Sequence, residues 1–413
     1  PIWKHSVAFW QIKSDFSQAL SASDHEHSAI DGLRAIAILM VMAFHSLYIA
    51  HVVLSKQAFS ELVINLPWGL GLVVSFDKAV DGFFVISGFL LATSLLKAQQ
   101  KGHPIDFWRF YRKRLFRILP LFLIALGLYA SAAWKGDAYS LLLNLFFMEN
   151  NFPDATKLIP VGWSLAIEMQ FYLVLPVILA LSGRFLAPVL FGILAFALLI
   201  KLGVIFSDAR LYQESIMAYL TQKIDPAIIL DQIYYPTWMR FDPLIMGVLA
   251  AWVWVNHQAW LQQHQAKLFH TGWVLVALSM LFPDHKQIEV LYPTLNGLGL
   301  AYHRSVFALG ITLLMLAILL PKVEGVKLGV KRFLGARFWR SWSEMVFPLY
   351  LFHFPMLAIA AVVVFGTTDV KAVSEVHYWQ IGLIFVLGSI LTWLFSLVLH
   401  VFIEKPFHRH GRA

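Results

Sequence analysis

The stretch DGLRAIAILMVMAFHS, residues 31–46, holds an arginine and a histidine eleven residues apart inside an otherwise apolar run. At about 100° and 1.5 Å per residue, Arg34 and His45 share one face of a helix, roughly 16 Å apart along its axis. An ionisable side chain in a membrane span is costly, usually faces a protein or water-filled interior, and points first to function. The structural alternative is an arginine snorkelling at a helix end and a histidine satisfied by one hydrogen bond.

Composition sets the frame around this helix. Hydrophobic residues make up 59% of the 413 and charged residues 14%, and mean hydropathy is +0.69, well outside the soluble range. The chain reads as an all-α polytopic membrane protein. Without cysteine it has no disulfide, thiolate metal site or cysteine nucleophile. The net charge of +8 and 15% aromatics suit basic inside loops and interfacial aromatic belts rather than nucleic-acid binding.

Ten apolar segments are read as crossing helices of one bundle: 33–53, 80–96, 115–133, 163–181, 185–206, 241–255, 268–282, 306–320, 346–365 and 379–403. Residues 139–147 are apolar but too short to cross and read as a re-entrant or surface segment. Residues 1–29 are too polar to span, yet Ile2, Phe9 and Phe16 recur beside Trp3 and Trp10, which suggests a helix lying on the membrane surface. They lack the features of a signal peptide. Two units are therefore expected, a surface segment 1–29 and a transmembrane domain 30–413. Lys and Arg are concentrated in alternate connections, led by seven between Lys97 and Arg117, which puts both termini on the cytoplasmic side.

This topology converts positions into depths. Arg34 starts at the cytoplasmic face and His45 lies near mid-membrane. In DGFFVISGFLL, residues 81–91, Asp81 stands near the outer surface, and Gly82 and Gly88 allow close helix approach. Arg114 and Arg117, one turn apart, offer paired guanidinium forks suited to phosphate, with anchoring to anionic headgroups as the alternative. Ser164, Glu168 and Tyr172 follow at i, i+4 after Trp163, forming a stripe that descends from the outer face. A carboxylate there needs a partner, for which Arg240 and His45 are the candidates. His353 lies near mid-membrane between Pro348 and Pro355, where neighbouring groups must satisfy the freed backbone.

These elements, in order, resemble the acyltransferase family 3 membrane proteins: the Arg34-x10-His45 helix, DGFFVISGFLL, RKRLFRILP at 112–120, GWSLAIEMQFYLVLP at 162–176, MRFDPLIMG at 239–247, FPLYLFHFP at 347–355 and IEKPF at 403–407. Met169 departs from the acidic pair that often precedes QFY. The resemblance implies an O-acyltransferase in the bacterial cytoplasmic (inner) membrane. It would carry an acyl group, commonly acetyl, from cytoplasmic acyl-CoA to a hydroxyl of an extracytoplasmic glycan or lipid-linked sugar, such as lipopolysaccharide O-antigen or exopolysaccharide. No metal is called for. On that reading Arg34, Arg114 and Arg117 bind acetyl-CoA, and His45 acts with Glu168 or Asp81 as orienting carboxylate. Trp163, Ser164, Tyr172, Arg240 and His353 line the acceptor side. His45 acts either as general base in direct transfer or as an acylated intermediate. A proton-coupled transporter is the rival class, since buried Arg, His and Glu also form ion relays, but the inverted repeats it would favour are not visible.

Overall fold

The computed structural model describes residues 28–282, 290–369 and 372–412, and among these it is all helix without a strand. The principal helices are α1 (Ser28–Val53), α2 (Ala79–Gln100), α3 (Phe107–Ala133), α4 (Gly162–Ser182), α5 (Leu186–Ser207), α6 (Asp242–Asn256), α7 (Gln258–Met280), α8 (Pro293–Leu319), α9 (Val326–Leu334), α10 (Arg337–Glu344), α11 (Val346–Phe365) and α12 (Tyr378–Leu399). Among the described residues seven helical stretches, against the ten expected, are long and apolar enough to cross a membrane; Gly162–Ser207, one of them, carries Gly183, where φ is +47°. In lipid only internally hydrogen-bonded backbone can span, so long apolar runs become helices. The α6 helix is shorter, and the apolar half of α7 sits on a polar first half. The surface helix expected over residues 1–29 falls outside the described residues except for Ser28 and Ala29, which open α1.

Three helix pairs organise the bundle: α2 with α6, α7 with α8, and α11 with α12. The first helix, α1, lies among α2, α11 and α12 and is met near its start by the short α9 and α10. Small residues permit the closest of these approaches, as is usual where lipid removes the hydrophobic drive between helices. A Cβ on Gly88 would collide with the Leu244 carbonyl, and one on Gly247 with that of Val85. Gly82 plays no such part, since a Cβ there would meet only the Phe307 ring at 3.8 Å.

Proline shapes α11. Pro355 has no N–H to give the carbonyl of Leu351, and the Tyr129 hydroxyl of α3 donates to that oxygen at 3.0 Å. The segment expected to be re-entrant or to lie at the surface is a short helix, Ala138–Leu145, capped by the Asp137 carboxylate accepting from the Tyr139 and Ser140 amides.

The backbone contact between α2 and α6 makes a direct prediction. Gly88→Val forces the helices apart and lowers stability by about 1–3 kcal/mol, read as an earlier thermal unfolding of the detergent-solubilised protein. Gly82→Ala, with open space for its methyl, melts at or above the wild-type temperature.

Candidate active site

A cavity of about 290 Å³ opens where α1, α2, α3, α4 and α11 meet. Its polar lining is Arg34 from α1, Ser87 and Ser94 from α2, Arg114 and Arg117 from α3, Ser164, Glu168 and Tyr172 from α4, and Tyr350 from α11. The helix periodicity of 3.6 brings these residues inward: Arg114 and Arg117 lie three apart, and Ser164, Glu168 and Tyr172 four apart, each set on one face. Three guanidinium groups against the lone carboxylate of Glu168 leave the lining strongly cationic.

Within this lining the anionic and cationic groups are unevenly satisfied. The Tyr172 hydroxyl donates to Glu168 Oε2 at 3.1 Å and lies 3.1 Å from Ser87 Oγ. Glu168 also feels Arg117 and Arg34. Arg34 Nη1 donates to Ser343 Oγ of α10 at 3.2 Å, and that hydroxyl donates to Asp31 Oδ1 at 2.7 Å. Arg114 differs, because its Nε is buried with no protein acceptor. A buried donor left without a partner costs about 1–3 kcal/mol, and the Nε atoms of Arg112 and Arg240 are left in the same way.

His45 is not part of the cavity lining. Its Nδ1 lies 2.9 Å from Nε2 of the fully buried His353, whose Nδ1 lies 2.7 Å from the Tyr350 carbonyl oxygen. Phe354 packs on the His45 ring at 4.6 Å between centroids, with Phe44 at 5.2 Å and Tyr48 at 6.4 Å. Tyr350 joins the two regions: its hydroxyl meets Ser164 Oγ at 2.6 Å in the cavity wall while its carbonyl holds His353.

The remaining charged residues form a separate group. Asp81 is fully buried, with Oδ1 2.9 Å from Arg240 Nη2 and Oδ2 3.1 Å from Arg304 Nη1, and Arg304 also pairs with Asp77. The Arg240 guanidinium lies 4.8 Å from the Trp163 ring centre and 5.0 Å from that of Tyr234. Arg240 therefore serves Asp81 and not Glu168, whose hydrogen-bonding neighbours are Tyr172 on its own helix and Ser87 of α2. The carboxylates expected beside His45 are both engaged elsewhere. Asp81 is taken up by two arginines, and the groups closest to His45 are rings and a second histidine. Breaking one partner of such a buried pair costs about 3–5 kcal/mol, which makes the Asp81 group a scaffold between α2, α8 and the turn before α6.

Four participants were not assigned a role from sequence: Tyr350, Ser343, Arg304 and Asp77. Arg304 stands just ahead of an apolar run and Asp77 just ahead of another, a position that reads as a loop until the partner is seen. The described residues hold no cluster of three or more His, Asp or Glu spaced for a metal ion.

With this geometry in place, the comparisons are informative. The model of a family described as "Acyltransferase domain" matches residues 27–401. Among curated proteins the chain is similar to the putative peptidoglycan O-acetyltransferase YrhL of Bacillus subtilis, 25% identical across 92% of this chain and 55% of that protein. It is also similar to the peptidoglycan O-acetyltransferase OatA of Listeria monocytogenes, 25% identical across 93% of this chain and 56% of the relative. A putative O-acetyltransferase of Staphylococcus aureus is 27% identical over 54% of this chain and 34% of its own length. The chain thus spans about half the length of these two curated relatives. No solved structure matches. On the extent of the family match, the chain is a member of the acyltransferase domain family of integral membrane proteins.

Proposed function

We propose that this protein is an acyl-CoA-dependent O-acetyltransferase whose domain 30–413 crosses the bacterial cytoplasmic membrane with both ends inside, drawing its donor from the cytoplasm and acetylating a glycan hydroxyl on the outer side. The observation that carries the reading is the arginine-lined cavity joined through Tyr350 to the His45–His353 pair. Coenzyme A carries phosphates and a long amide arm. Arg34, Arg114 and Arg117 match the phosphates as planar, permanently charged donors, and the unpartnered Nε of Arg114 is the kind of atom a phosphate oxygen would satisfy. Ser94, Ser87 and Ser164 along the wall suit the amides of the arm, which moves Ser164 and Tyr172 from the acceptor side expected from sequence to the cavity of the arginines.

In the reaction, a neutral His45 accepts the proton of the acceptor hydroxyl as that oxygen attacks the thioester carbonyl. The C–O bond forms, the C–S bond breaks, and the proton passes to the departing thiolate, so no external proton or redox partner enters. With Asp81 held by two arginines, it has no part in this step. Glu168, beside the arginines, balances charge and fixes the Tyr172 hydroxyl at the donor end. The relatives' names point to peptidoglycan as the acceptor, with O-antigen or exopolysaccharide as the competing glycans.

Two measurements test this. Isothermal titration of acetyl-CoA into the purified Arg114→Ala/Arg117→Ala protein gives a Kd at least about tenfold weaker, because each lost charge-assisted contact removes about 1.5–3 kcal/mol; an unchanged affinity returns these arginines to lipid anchoring. His45→Ala, assayed by acetyl incorporation from acetyl-CoA into isolated cell-wall glycan and O-antigen, loses about a hundred- to ten-thousandfold in rate while still binding acetyl-CoA. Normal acetylation of either glycan by that variant removes His45 from the chemistry.

A further inference from the structure

We propose that His353 is a positioning residue that fixes the tautomer of His45, keeping hydrogen on His45 Nδ1 and the lone pair on Nε2. This deepens the assignment of His45 as the base of acyl transfer and rests on it. The argument needs only which atoms can donate. The Tyr350 carbonyl oxygen can only accept, so His353 Nδ1, 2.7 Å away, carries the hydrogen of that ring. A neutral imidazole has one N–H, which leaves the lone pair on His353 Nε2. His45 Nδ1, 2.9 Å from that lone pair, must therefore donate. The hydrogen of His45 is thus assigned to Nδ1, and Nε2 is left basic.

Neutral rings are what this environment holds. Both histidines are surrounded by aromatic side chains, Phe44, Tyr48, Tyr350 and Phe354, and no described carboxylate hydrogen-bonds either ring. An unpaired buried charge would be costly there.

The support for His353 is itself braced. It has 0% exposure, and α11 is pinned two residues away by the Tyr129 hydroxyl on the Leu351 carbonyl that Pro355 frees. When His45 Nε2 takes a proton, the resulting positive charge is delocalised over the ring and stabilised through Nδ1–H by the lone pair of His353, whose own N–H rests on the Tyr350 carbonyl. This is the arrangement in which a third group orients a base, here built from a neutral ring and a backbone carbonyl in place of a carboxylate.

The test compares two substitutions in the full chain. His353→Gln sets an amide near the position of Nε2 and keeps an acceptor; His353→Leu keeps the volume and removes it. With acetyl-CoA and isolated cell-wall glycan, kcat of the Leu variant falls about 10- to 100-fold, as outer partners of functional histidines typically contribute, while KM for acetyl-CoA is unchanged and the Gln variant recovers most of the rate. Nitrogen-15 spectra of histidine-labelled wild-type protein, with His45 assigned by its loss in His45→Gln, give a protonated Nδ1 and an unprotonated Nε2. A His45 protonated on Nε2 overturns the inference even if the Leu variant does not fold. Equal loss in folded Gln and Leu variants, or a Leu variant with wild-type kcat beside an inactive His45→Ala, also overturns it and leaves the base assignment standing. An active His45→Ala removes the base assignment itself.

Discussion

The two oxygens of Asp81, each on a different arginine, tie the middle of the bundle together: Arg240 comes from the turn before α6 and Arg304 from α8, while Asp81 belongs to α2. Beside it, Lys201 of α5 pairs with Asp242 at 2.7 Å and donates to Ser305 at 2.8 Å. In a low-dielectric interior an unmatched charge costs far more than any one packing contact contributes, so charges gather in neutral sets. The Asp77, Arg304, Asp81 and Arg240 set places two carboxylates against two guanidinium groups, with the buried Lys78 beside it donating from Nζ to the Phe282 carbonyl at 2.6 Å. The cavity lining differs, with three guanidinium groups around Glu168, and Asp31 reaches Arg34 only through Ser343.

That contrast separates scaffold from site. The scaffold holds α2 against α6 through Gly88 and Gly247 and against α8 through Asp81, which fixes the wall carrying Ser87. The opposite wall belongs to α11, where proline leaves a carbonyl that Tyr129 takes and where Tyr350 and His353 lie one turn apart. Tyr350 contributes twice, by its hydroxyl to the cavity and by its carbonyl to the histidine pair, so a shift of this one helix would move the cavity wall and the histidine pair together. Arg34 and His45, on the same helix, couple the two regions a second time.

Much of this is legible in the sequence, because helical periodicity and the cost of charge in lipid act locally. The ten apolar segments lie largely on helices, though among the described residues only seven helical stretches are long and apolar enough to cross a membrane, and six residues from three separate parts of the chain, Arg34, Arg114, Arg117, Ser164, Glu168 and Tyr172, line one cavity. Partners were harder to read. Glu168 and Arg240 look suited to each other by depth and sign, yet the choice depends on helix rotation and crossing, which put Asp81 and Arg304 around Arg240 and leave Glu168 with Tyr172. Arg304 and Asp77 lie at the ends of apolar runs, where a charge looks solvated. His353 reads as a packed histidine until α11 is laid against α1 and its second nitrogen reaches His45.

The central claim is that donor and acceptor approach from opposite faces and meet beside His45. Purified protein oriented in proteoliposomes, with radiolabelled acetyl-CoA outside or inside and cell-wall glycan confined to the other compartment, tests it most directly. The account predicts labelled glycan only when acetyl-CoA is on the side of Arg114 and Arg117, with free CoA appearing on that same side. Product formed only when donor and glycan share one compartment would contradict it.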